Sequence, residues 1–173
     1  MNIFELQLFD DNGSECTFYT VKWDDQIVSE TNKFIEKYEI LPKFESSLNE
    51  LFSFIVNIIG NKKGAKEIYF RFENSAQALP PSGTYQIGEI TIKFGNFPLR
   101  LYCLRISEKL VILFNGAEKT SQTAQDGNTS IAFREANIFA KKIVESLANG
   151  EIIITANGRN LQNYNNTIPI LIY

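Results

Sequence analysis

Histidine is absent from the 173 residues. The side chain best suited to proton transfer near neutral pH is therefore missing, and Ser-His-Asp and Cys-His catalysis are both excluded. Cysteine is scarce: Cys16 and Cys103, far apart in the chain, form neither a disulfide framework nor a zinc ligand set. The acidic pairs Asp10–Asp11 and Asp24–Asp25 read as turns rather than Mg²⁺ sites. No apolar run reaches the ~20 residues of a membrane helix. The opening "MNIFELQLFDDNG" lacks the basic segment of a signal peptide. These absences predict a cytoplasmic chain with reduced thiols, no metal, no cofactor and no membrane partner.

Apolar residues make up 44% of the chain, with 14 phenylalanines, enough to fill the core of a single domain. Net charge is -3, but it is unevenly spread. Residues 1–59 carry 4 basic and 11 acidic groups, while residues 60–123 carry 9 basic and 5 acidic. A basic face is therefore available in the middle of an acidic protein.

Periodicity predicts an α+β fold. "NIFELQLF" and "SECTFYTVKW" flank the turn signal "DDNG" and read as a hairpin. Ser29 or Thr31 caps a first helix that Pro42 ends, and "FESSLNELFSFIVNIIG" reads as a second, stopped at Gly60. "EIYFRFE" and "YQIGEITIKFG" alternate, with Ile68, Phe70, Phe72, Ile90, Ile92 and Phe94 expected inward. "LRLYCLRI" and "KLVILF" read as strands joined by "SEK", and "SIAFREANIFAKKIVESLANG" as an amphipathic helix. "NGRNLQNYNN" is turn-rich and expected to be poorly ordered before a last apolar "TIPILIY". The expected architecture is an antiparallel sheet with helices packed mainly on one face. An acidic N-terminal hairpin and helices (1–60), a sheet and helix (61–150) and a strand and tail (151–173) would form one compact unit.

"FNGAEKTSQT" places Gly116, Lys119 and Thr120 in what reads as a short polar turn. It is not a phosphate-binding P-loop, which needs a second glycine before the lysine; Glu118 stands there instead. A wider signal comes from Tyr69, Arg71, Lys93, Arg100 and Tyr102 at outward positions of neighbouring strands, with Lys119 after the last. Cations neutralise phosphate and tyrosine stacks on bases, so this pattern suits RNA.

From "ITIKFG" through "LRLYCLRI", "SEK", "LVILFNG" and "EKTSQT", the chain resembles the RelE/HigB superfamily of bacterial toxins, closest to the HigB-like branch, over roughly residues 67–147. The resemblance implies a RelE-like core with an N-terminal extension. It also implies a type II toxin–antitoxin toxin that cuts mRNA on the ribosome and is held inactive by a cognate antitoxin. By position Arg100 matches the arginine opening the family's third strand, Lys93 the basic strand before it, and Lys119 and Thr120 the second half of a Lys-Lys-Thr loop whose first lysine is Glu118 here. Arg100, Lys93, Tyr102 and Lys119 are the candidate catalytic residues; Arg71, Tyr69, Arg105 and Thr120 the candidate substrate-binding ones. Two other readings stand beside it: a non-catalytic module of the same fold that holds RNA or an acidic protein, and a small-molecule enzyme with a pocket under "ALPPSG".

Overall fold

A computed structural model describes residues 2–120 and 130–173. The chain begins with β1 (Phe4–Asp10) and β2 (Thr17–Trp23), then α1 (Glu30–Glu39) and α2 (Glu45–Ser53), which runs on as a π-helical segment, Phe54–Lys63. Six strands follow: β3 (Arg71–Glu73), β4 (Ala76–Leu79), β5 (Thr84–Ile87), β6 (Ile90–Lys93), β7 (Leu99–Ser107) and β8 (Leu110–Glu118). Helix α3 (Ser130–Ala148) precedes β9 (Ile152–Ile154), β10 (Leu161–Asn163) and β11 (Ile170–Ile172).

Seven strands form one sheet in the order β11-β1-β2-β8-β7-β4-β3. The "DDNG" and "SEK" hairpins form as expected, β1 antiparallel to β2 and β7 antiparallel to β8. The two hairpins then join through β2 and β8, which pair in parallel from Thr17 opposite Leu110 to Thr20 opposite Leu113. The sheet is therefore mixed, not purely antiparallel. Local turn chemistry specifies each hairpin, but nothing local specifies which of its edges meets the other. The N-terminal strands consequently lie inside the sheet.

Helices cover both faces, which corrects the one-sided packing expected. Alternate residues of β8 explain why: Ile112 and Phe114 join Tyr102, Phe4 and the α3 residues Phe139 and Ile143 in one core. Val111 and Leu113 join Leu101, Phe18, the α1 residue Phe34 and the π-segment residue Ile55 in the other. A strand buried on both sides reads as the continuous apolar run "LVILF".

Several local expectations shift. Ser29 is the α1 cap, its Oγ accepting from Asn32 N–H at 3.3 Å. Gly60 does not end the second helix, which runs to Gly64 at φ 74°. Its carbonyl instead accepts from Glu15 and Cys16 N–H at 2.9 and 3.0 Å, docking the loop before β2. "EIYFRFE" is not one strand but a 3₁₀ turn, Glu67–Tyr69, followed by edge strand β3. Ile68, in the turn, is 64% exposed, and Phe72 is 82% exposed because β3 turns Arg71 and Glu73 toward the sheet's α3 face instead. Strands β5 and β6 form a separate ribbon beside the sheet. The turn-rich tail is ordered: β10 pairs with β9, and Arg159 donates to Thr17 Oγ1 and to the carbonyls of Ser14 and Gly13.

The far end of β8 is laced to α1. Thr31 Oγ1 donates to the Phe114 carbonyl at 3.1 Å, Asn115 Nδ2 to Glu30 Oε2 at 3.0 Å, and Glu118 N–H to the Tyr38 hydroxyl at 2.7 Å. So β8 continues through Gly116, which is a strand residue and not part of a turn. Gly116 lies against the Arg100 carbonyl, where a Cβ would overlap backbone. Gly116→Ala is expected to cost about 1–3 kcal/mol through this overlap, read as a lower urea midpoint at unchanged m-value.

Candidate functional site

Side-chain alternation on β7 sends Arg100, Tyr102 and Leu104 to the α3 face, while Leu101 and Cys103 enter the opposite core. Arg71 lies opposite Ala78, which lies opposite Tyr102, and Glu73 lies opposite Ala76. Arg71 and Glu73 therefore share that face, one strand pair away. Lys119 arrives from the end of β8, held by its N–H to the Pro98 carbonyl at 2.7 Å. Three cations and one carboxylate thus gather at one corner of the sheet.

Arg100 is only 3% exposed, and its Nη1 lies 3.3 Å from Glu73 Oε1. Its Nη2 is buried and has no hydrogen-bond partner among the described residues. A buried guanidinium N–H without an acceptor costs on the order of 1–3 kcal/mol, so Arg100 carries an unmet donor at this corner. Burial and mutual repulsion both disfavour the charged forms here. Partial burial, then the Arg100 and Arg71 charges, hold the Lys119 ammonium below the usual lysine range, with Glu73 opposing. Burial and Arg100 likewise lower Arg71, against Glu73 and the nearby Tyr102 and Tyr85 hydroxyls.

The structure thus brings together Arg100, Lys119, Arg71 and Tyr102 of the residues singled out in the sequence. Tyr102, however, is fully buried, its ring edge-on to Phe133 of α3 at 6.0 Å, so it is no open stacking platform for a base. Lys93 is not beside Arg100. It sits on the β5–β6 ribbon, whose Ile87 belongs to the core on the other side of the sheet. Tyr69 is buried in that second core against Phe54 and Tyr85. Arg105 also faces away from Arg100, its Nε donating to the Ala65 carbonyl. Thr120 is exposed directly after Lys119. Glu73 was missed by the sequence reading, since a lone carboxylate in a strand with alternating charges gives no signal until its neighbours are known.

Both cysteines are buried. Burial pushes the Cys16 thiol up to about 12 and raises Cys103 as well. Among the described residues no group of histidine, cysteine, aspartate and glutamate could hold a metal ion, and no helix is long and apolar enough to cross a membrane. Comparison with protein-family models, curated proteins and solved structures finds no match to the chain.

Replacing the carboxylate tests the electrostatics directly. In Glu73→Gln the Lys119 ammonium, deprived of a stabilising charge, is expected to titrate lower still, followed by NMR of the lysine Nζ. Loss of the charged acceptor of Arg100 should also lower stability by about 1.5–3 kcal/mol. An unchanged Lys119 titration would separate the two groups.

Proposed function

We propose that the protein is an RNA-cleaving toxin of the RelE/HigB type, acting on ribosome-bound mRNA and restrained by a cognate antitoxin, with Arg71, Arg100 and Lys119 around the scissile phosphate. The observation that carries the reading is the buried Arg100 guanidinium whose Nη2 has no hydrogen-bond partner among the described residues, flanked by two further cations. A phosphate oxygen meets that need, and the sequence resemblance supplies RNA as its source.

The chemistry runs without metal or histidine. The ribose 2′-oxygen bonds to phosphorus and the P–O5′ bond breaks, giving a 2′,3′-cyclic phosphate and a 5′-hydroxyl. Lys119, its ammonium destabilised by burial and then by Arg100 and Arg71, takes the 2′-hydroxyl proton in its neutral form. Water supplies the proton to the leaving 5′-oxygen. Arg100 and Arg71 stabilise the charge that gathers on the phosphorane.

A second reading, an RNA-binding module that does not cut, is favoured by the placement of Lys93. With Lys93 across the sheet and Tyr102 enclosed, Lys119 is the remaining lysine at the cluster among the described residues.

Lys119→Met separates the two readings. Under the first, cleavage of ribosome-bound mRNA falls by ~10²–10⁴ while RNA binding weakens only slightly, and wild-type cleavage rises with pH until the depressed Lys119 equilibrium is passed. Arg71→Ala should weaken binding to all sequences and reduce the salt slope by about 1, and Lys93→Ala should change neither. A wild-type chain that binds RNA without cutting it leaves the module; one that does neither removes both.

A further inference from the structure

Between the π-helical segment and the β5–β6 ribbon lies a groove of about 670 Å³. Its helical wall uses Glu50, Ser53 and Phe54, Asn57 and Ile58, then Asn61 and Lys62, a stripe that repeats every three or four residues and so runs along the helix. The facing wall is four consecutive residues, Ile90, Thr91, Ile92 and Lys93. Successive strand side chains point to opposite faces. A groove touched by all four must therefore follow the strand's edge. No β5 residue lines it, so the edge in question is the one β6 does not share with β5.

That edge carries unused backbone. Phe94 N–H donates to the Gly83 carbonyl at 2.9 Å, next to the pair Thr84–Lys93. Alternation along an antiparallel ladder then turns the Ile90 and Ile92 groups toward β5 and the N–H and C=O groups of Thr91 and Lys93 toward the groove. Phe54 and Ile58 are buried and Ile92 half-buried, which supplies an apolar floor. Lys62 and Lys93 line the groove with no carboxylate partner among the described residues, against the single carboxylate of Glu50.

We propose that this groove binds an extended acidic peptide segment of a partner protein, which adds to the β6 edge as a third strand. The main-chain groups of Thr91 and Lys93 hold its backbone, an apolar side chain seats on Phe54, Ile58 and Ile92, and an Asp or Glu side chain meets Lys62 and Lys93. Main-chain pairing gives the affinity and the side-chain pockets the selectivity. Alternating apolar and acidic residues are the resulting specificity.

A library of random 12-residue peptides displayed on phage, panned on the full chain, tests this. The counter-target is the double variant Lys62→Glu, Lys93→Glu, whose changes are confined to the groove's polar rim. Enriched peptides are expected to alternate apolar residues with Asp or Glu. They should bind the double variant at least tenfold more weakly and slow hydrogen exchange at the Thr91 and Lys93 amides. The proposal is overturned if no sequence is enriched over the counter-target, if the enriched sequences are basic, or if bound peptides leave those two amides exchanging freely. It is equally overturned if an RNA oligonucleotide, rather than a peptide, protects them.

Discussion

The hydrogen bonds from α1 to the far half of β8 are the constraint on which the rest of the molecule turns. Thr31, Glu30 and Tyr38 take up the strand's backbone and Asn115 where the β7–β8 register shifts. Thr31 also meets Thr20 Oγ1 at 2.7 Å, tying the same helix to β2. Buried polar groups left unmatched are costly, so these bonds fix where β8 ends and which way it leaves the sheet. The position of Lys119 follows, and with it the third cation of the cluster.

The parallel β2–β8 pair then makes the sheet a two-sided wall. One core holds α3 and the other holds α1, α2 and the π-helical segment. With both faces covered, a polar strand side chain finds water only near the sheet's corners and edges. Arg71, Glu73 and Arg100 lie toward the β3 edge, which lets a buried guanidinium keep a carboxylate partner and still face a region with other charges. Three cations against one carboxylate leave that corner two charges positive in a protein whose net charge is -3. An incoming anion gains there from low dielectric and from fixed donors.

The cation cluster and the ribbon groove differ in kind. The α3 face concentrates charge with little open surface, suited to a single anionic group. The ribbon and the π-helical segment offer length, unpaired backbone and an apolar floor. Lys93 belongs with the second by position, although its place in a basic, alternating strand resembled the first. Strand alternation reports which side chains share a face within one strand; it does not report which sheet the strand joins.

The sequence by itself determined most of the helices and strands, both hairpins, the exclusion of histidine chemistry and three cations of the cluster. Each depends on spacing within a few residues or on composition, where local physics acts alone. The tertiary structure decided the rest. Which hairpin edges meet, and so that β2 and β8 run parallel, depends on burying two apolar faces at once. Packing between elements also made Gly116 a close-packed strand residue against β7, Gly60 a docking carbonyl and Tyr102 a core side chain. Glu73 became the partner of Arg100 because β3 and β4 place it there, across a sequence separation of which periodicity carries no trace.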